Sequence, residues 1–400
     1  MKKALILTAD AGFGHRAAAN AIAEAFQNDP VEPYETKIVN LIDDPKTPKF
    51  LKNSQADFDK MVREIPKFYE ITYEQSDTAG TVSAAAAGLA AALYVPYRKA
   101  VLDFDPDVVI NTYPLYSAPA TWWKVRREGI KIKDSDGKVV DLTRLRGNGR
   151  SHPIPFITVV TDLYSVHKIW FNIFIDRTCV ATEHVRKLAV DFGCDPETVL
   201  VTGIPVKTNP DAGKSKAAIR EELGLDPNLT TVVAVGSKRV LTLMDHLNVI
   251  NHAGFPVQIV MAAGGDDELY NKMILNEWHV PVKIYNYCNE VSKIMAASDM
   301  IITKAGGLIT SESLAAGLPM LLTEILPGQE EGNAQLVEES GAGKVVRTQY
   351  DTLETFSHMM MNDGALLKQM QANAALIGRP NAANDIRDLA NQLISQSPAE

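Results

Sequence analysis

The sequence predicts an α/β protein built from two successive doubly wound units, and three observations predict it. Short β-branched runs recur along the 400 residues, several of them continuously apolar, as parallel strands covered on both faces must be. Amphipathic stretches separate them: in "RAAANAIAEAF", Ile22 and Phe26 fall four apart on one helical face. Glycine turns join run to helix at residues 12–14 and 306–307, the kind of strand end at which open α/β sheets bind ligands.

Taken in order, the first half offers the strands "KALILTA", "TKIVNL", "DVVINTY", "IPFITVVT", "TCVAT" and "TVLVTG". The second half offers "TVVAVG", "VQIVMAA", "VKIY", "DMIITK", "PMLLT" and "KVV". A seam falls in "GIPVKTNPDAGKSK", where glycine, proline and lysine replace the periodic pattern. Near the end, Pro380 interrupts "LIGRPNAANDIRDLANQLI" and must break or kink the helix there. The expected division is an N-terminal domain at 1–207, a C-terminal domain at 208–378 and a final helix at 379–400. Two such Rossmann-like domains with a kinked last helix suit the GT-B architecture, in which the domains face a central cleft and the last helix returns to the first domain.

The 46% hydrophobic and 22% charged content is that of an ordinary globular protein. A net charge of −9 argues against a general nucleic-acid binder, which needs a basic surface. Cys179, Cys194 and Cys288 lack C-x-x-C spacing, which suits a reducing compartment and argues against a zinc site. The first ten residues carry no secretory signal pattern. The nearest approach to a membrane span, "TVSAAAAGLAAALYVPY", is mostly alanine and reads as a helix of a soluble domain.

The densest motif is "TKAGGLITSESLAAGLPMLLTEILPGQEEGN" at 303–333. Gly306 and Gly307 let a bulky ligand approach the backbone, and the helix that follows offers free N–H groups to an anion. Glu312, early in that helix, suits a ribose diol, while Gln329, Glu330 and Asn333 suit sugar hydroxyls. The plainer reading is a glycine turn followed by a surface helix.

Together with the "GFGH" turn, "FDPDVVINTYPL", "VTDLYSVHKIWF" and "GIPVK", this segment resembles the GT-B family that holds monogalactosyldiacylglycerol synthases and processive diacylglycerol glucosyltransferases. The enzyme that adds N-acetylglucosamine to lipid I is a more distant member. The resemblance implies an inverting transferase that moves a hexose from a UDP-sugar to diacylglycerol, with no obligatory metal. No D-x-D motif stands at a strand end. It further implies a basic residue, Lys207, near the donor phosphate, and Asp162 and His167 on the acceptor side, with Trp170 beside them past the same strand end. One departure stands out. Where the family carries a second glycine-rich loop, this chain reads "VAVGSKRVLTL", with Gly236 alone and with Lys238 and Arg239 as charged alternatives for the diphosphate. The uracil is expected against "YNYCNEV", with Tyr287 as its contact.

A hydroxyl nucleophile needs a base, and a histidine titrating near about 6.5 is matched to that work. His15 is the candidate, with Asp162 to orient it or to act in its place, and Gly12 and Gly14 leave room for the acceptor. The plainer reading of His15 is a capping or packing residue at a helix start. Between Trp122 and His152 stand nine lysines and arginines against four acids, a local net charge of +5. Trp122, Trp123, Arg126 and Arg127 therefore suit an anionic membrane surface, unless the tryptophans are core and the charges a solvated hairpin. The expected location is the cytoplasm, peripheral on the inner face of the cell membrane. Two other functions share this fold: a UDP-sugar 2-epimerase, and a UDP-sugar-binding protein without catalysis, which the "GSKR" loop keeps open.

Overall fold

The structure is a computed structural model. It describes the chain outside residues 11–12, 50, 53–78, 128–130, 134–138, 142–153, 208, 210, 212, 238–239, 327, 329 and 397–400. By internal contacts the chain forms two compact units, Met1–Pro205 joined by Asn381–Glu400, and Val206–Pro380.

In the first unit the order is β1 (Lys3–Leu7), α1 (Phe13–Gln27), β2 (Glu35–Val39), α2 (Ala79–Phe104), β3 (Val108–Asn111) and α3 (Ser117–Arg127). A small antiparallel hairpin follows, β4 (Lys131–Lys133) with β5 (Val139–Asp141), and then β6 (Phe156–Val159), β7 (Arg177–Val180), α4 (Glu183–Phe192) and β8 (Val199–Val201). The main sheet is parallel in the order β2-β1-β3-β6-β7-β8. β3 and β6 are buried at every position, which is why they read as unbroken apolar runs. The alanines of α1 let it approach both the sheet and the last helix closely. The alanine-rich stretch expected to be a helix is α2, and among the described residues no helix is long and apolar enough to cross a membrane.

The second unit runs α5 (Lys216–Glu222), β9 (Thr230–Val235), α6 (Leu243–His252), β10 (Val257–Ala262), α7 (Asp267–Leu275), β11 (Val282–Tyr285), α8 (Val291–Ala297) and β12 (Met300–Thr303). It continues through α9 (Gly307–Ala315), β13 (Met320–Leu322), α10 (Glu331–Glu339), β14 (Gly343–Val345), α11 (Gln349–Met360) and α12 (Ala365–Ile377). Its parallel sheet has the order β11-β10-β9-β12-β13-β14, with one core on each face. All twelve expected runs are strands.

The break at Pro380 separates α12 from α13 (Ala382–Gln396). Ile386, Leu389 and Ala390 of α13 share a core with Ile22 and Phe26 of α1. Asn391 accepts a hydrogen bond from the Tyr34 hydroxyl at 2.5 Å and donates one to Asp29 at 2.9 Å, and Arg387 reaches Asp29 at 3.4 Å. The helix thus completes the first unit.

Candidate active site

In the first unit the strand order reverses between β1 and β3, the switch point at which such sheets open a crevice. The turn after β1 leads there into α1, and His15 is the third residue of that helix. Its backbone carbonyl accepts from the Thr112 hydroxyl at 3.1 Å, just beyond β3. Its ring Nδ1 lies 2.7 Å from Thr161 Oγ1, just beyond β6. Tyr113 meets the ring edge-on at 5.1 Å, and Trp170 stands tilted at 5.9 Å. The Arg16 guanidinium grips the Asp10 carboxylate through two bonds of 2.8 Å, a bidentate clasp across the glycine turn. That contact holds the Asp10 carboxyl below its ordinary range. Burial lowers the His15 imidazole to about 4. It is therefore neutral at pH 7, the form that can accept a proton.

The other acceptor-side residues have structural duties. Asp162 does not turn to His15; its carboxylate accepts from the Trp170 indole N–H at 2.7 Å. Trp170 is 1% exposed, so it backs His15 from the core rather than meeting a ligand. His167 Nδ1 accepts from the Ile169 amide at 3.1 Å and caps the short 3₁₀ turn Lys168–Trp170. Gly14 has open space where a Cβ would stand, and Gly12 lies outside the described residues. Trp123 is buried against Tyr97 and belongs to the core, which removes it from a membrane contact. Trp122, next along α3, is half-buried and its ring lies 6.1 Å from Tyr94. The side chains of Arg126 and Arg127 lie outside the described residues.

In the second unit the strand order reverses between β9 and β12. Gly306 caps α9 and Gly307 begins it, so the helix's free amides open at that switch point. A Cβ on Gly306 would stand 3.1 Å from Lys304 Nζ, the movable end of that side chain. Lys304 is ion-paired with Glu330 Oε1, and Glu330 Oε2 accepts from the Leu326 amide at 3.0 Å. Asn333 is buried and donates to the Ala305 carbonyl at 2.9 Å, so its amide braces the glycine turn instead of reading a sugar. Glu312 differs from these. Among the described residues no donor reaches its carboxylate, and burial raises it to about 7.

Gly236 has a packing reason. Its Cβ would fall 2.4 Å from Leu269 Cδ2, and Gly264, at φ +67, would place a Cβ 2.4 Å from the Gly236 carbonyl. Gly264→Ala is accordingly expected to destabilise the second unit by more than about 1 kcal/mol, read as a lower urea midpoint. The amides that open α6 are also filled: Glu324 accepts from Leu241 N at 2.6 Å, Thr242 N at 2.7 Å and the Thr242 hydroxyl at 3.0 Å. Lys207 is exposed, and Tyr287 is 70% exposed beside Gly265. Lys238, Arg239 and Gln329 lie outside the described residues. Among the described residues no group of three or more His, Cys, Asp and Glu side chains is arranged to hold a metal.

Sequence reasoning missed Thr161, Lys304 and Glu324. Lys304 stands two residues before Gly306, and that proximity was its available signal. A threonine and a glutamate past strand ends carry none.

Each unit thus has a switch point with a polar side chain beside it, His15 in the first and Glu312 in the second, in the two-unit arrangement of a GT-B fold. The monogalactosyldiacylglycerol (MGDG) synthase family model matches residues 138–206, and the glycosyltransferase family 28 C-terminal domain model matches residues 230–393. A probable chloroplastic monogalactosyldiacylglycerol synthase of Glycine max is 30% identical over 413 residues, covering 99% of this chain and 72% of the relative. Monogalactosyldiacylglycerol synthase 3 of Arabidopsis thaliana is 28% identical over 395 residues, covering 96% of this chain and 80% of that one. The chain belongs to the monogalactosyldiacylglycerol synthase family and is a glycosyltransferase of glycolipid synthesis. The fold agrees: Acinetobacter baumannii MurG superposes with a TM-score of 0.57 at 13% identity, covering 98% of this chain and 100% of MurG. A putative UDP-N-acetylglucosamine 2-epimerase of Listeria monocytogenes gives 0.58 at 14% identity, covering 100% and 98%. The expected location at the inner face of the cell membrane is overturned, because these synthase relatives are named as chloroplastic enzymes.

Proposed function

We propose that the chain transfers a hexose from a UDP-sugar to the free hydroxyl of diacylglycerol in one inverting displacement. The observation that carries this is His15, a neutral imidazole at the switch point of the first sheet. The acceptor oxygen attacks the anomeric carbon from the face opposite the diphosphate. Its proton passes to the imidazole, and the anomeric C–O bond breaks with its electron pair leaving on UDP. The α9 amides after Gly306, with Lys207, meet the departing charge electrostatically. Glu330 contacts the hexose and Glu312 the ribose. Labelled UDP-galactose and UDP-glucose, each incubated with diacylglycerol vesicles, test the reading. An inverted glycolipid supports it, whereas a changed nucleotide sugar or binding without turnover overturns it.

Glu312 supplies a pH test. Ribose hydroxyls donate to a carboxylate, so binding favours the ionised form over an acid that in the free protein titrates near 7. UDP-galactose affinity should therefore fall about tenfold as pH drops from 8 to 6, measured by calorimetry. Glu312→Gln should bind weakly at every pH. The sign for stability is opposite. A raised folded value means that the folded protein holds the proton more tightly, so Glu312 costs stability as pH rises from its ordinary range through 7, and the glutamine variant should melt higher at pH 8. A flat affinity profile would remove Glu312 from the ribose.

The lipid acceptor requires a bilayer surface, and the +5 stretch from Trp122 to His152 suits anionic headgroups. Reversing charge at Arg126 and Arg127 should reduce sedimentation with anionic vesicles. Unchanged sedimentation returns the stretch to a solvated role.

A further inference from the structure

We propose that Thr161 is a positioning residue that sets the tautomer of His15, its hydroxyl oxygen accepting Nδ1–H so that Nε2 is the nitrogen that takes the acceptor's proton. This rests on the reading of His15 as the base. The contact is 2.7 Å and joins two strand ends: His15 follows β1, and Thr161 follows β6, two places along the sheet. Thr161 is 7% exposed, so water competes weakly for the bond. A ring nitrogen engaged this way is lost as a base, and only the Nδ1–H form leaves Nε2 with its lone pair free to accept a proton.

The partner's chemistry matters as much as its place. A carboxylate at this position would stabilise the imidazolium and hold a proton on the ring. A hydroxyl orients the ring and adds no charge. The carboxylates nearby are otherwise committed: Asp162 to the Trp170 indole, and Asp10 to Arg16. Tyr113, the remaining titratable neighbour, faces the ring by its edge, and burial raises its phenol to about 12, so it stays neutral. Among the described residues no charged group draws a proton onto His15; the Thr112 backbone carbonyl, a neutral acceptor, favours the charged ring but is outweighed by burial. When the acceptor oxygen bonds to the anomeric carbon and UDP leaves with the electron pair, the proton goes to Nε2. Nδ1–H keeps its bond to Thr161 throughout, so the transfer needs no reorientation.

The test is nitrogen NMR of the full chain labelled with 15N-histidine, with the His15 signals assigned by their loss in His15→Ala. Wild type should show Nδ1 protonated and Nε2 bare. Thr161→Val, which keeps shape and removes the hydroxyl, should lose that preference and lower kcat by up to about 10²-fold, with KM for the UDP-sugar unchanged. Thr161→Ser should restore the tautomer and bring kcat to within about threefold of wild type. A wild-type ring protonated on Nε2, or Thr161→Val with full kcat, overturns the proposal while leaving His15 as a base. Full kcat in His15→Ala overturns the base itself, whichever tautomer is observed.

Discussion

Replacing His15 by alanine is expected to lower transfer turnover by about 10²–10⁴-fold while leaving the UDP-sugar dissociation constant essentially unchanged. The two effects separate because the histidine and the residues proposed for the donor belong to different units: His15 to Met1–Pro205, and Glu312 and Glu330 to Val206–Pro380. A hydroxyl attacking unassisted must shed its proton to water. In the proposed reaction the imidazole, neutral because burial lowers it to about 4, takes it as the bond forms. Burial holds the imidazole of the free protein below its ordinary range, so the acidic limb of kcat/KM is expected at lower pH than an exposed histidine would give. Stopped assays in lipid micelles and equilibrium UDP-galactose binding on the same preparation check both halves. A wild-type rate would refute the base assignment.

Glu330→Ala is expected to act twice, on stability and on transfer. The Lys304 and Glu330 side chains are 16% and 8% exposed. Removing the carboxylate strands an ammonium in a nearly dry site, at a cost of about 3–5 kcal/mol in unfolding free energy. It also removes both carboxylate oxygens, one paired with Lys304 and the other accepting from the Leu326 amide. Each oxygen keeps a lone pair beyond these bonds, so a hexose hydroxyl has an acceptor to find. Pairing the change with Lys304→Met should recover most of the lost stability and none of the transfer. Urea titration and turnover on the single and double variants read the two effects apart. Recovery of transfer along with stability would make Glu330 purely a structural partner.

The strands were legible because burial on both faces writes itself as apolar runs, as in "VVIN" and "MIIT". The start of α9 was legible through Gly306 and Gly307. The side-chain duties were less so, because a polar group's partner is chosen by the fold. Asp162 reads as a base's companion until Trp170, eight residues on, folds back to donate to it. Trp122 and Trp123 read as a pair, yet neighbours on a helix point about 100° apart, and Trp123 enters the core. Gly236 reads as a phosphate glycine. The structure sets Leu269, far away in sequence, where its Cβ would stand, with Leu243 beside it. Thr161 carries no motif at all; only the path of β6 beside β3 brings it near His15.

The return of α13 to α1 has a consequence for biosynthesis. The apolar face formed by Ile22 and Phe26 is covered by residues made last, after the entire unit Val206–Pro380 has been translated. At about 5–20 residues per second, that face waits on the order of ten seconds or more before its own helix exists. The nascent first unit is thus an unfinished core that must be kept from aggregating, and a premature stop near Pro380 would leave it unfinished for good.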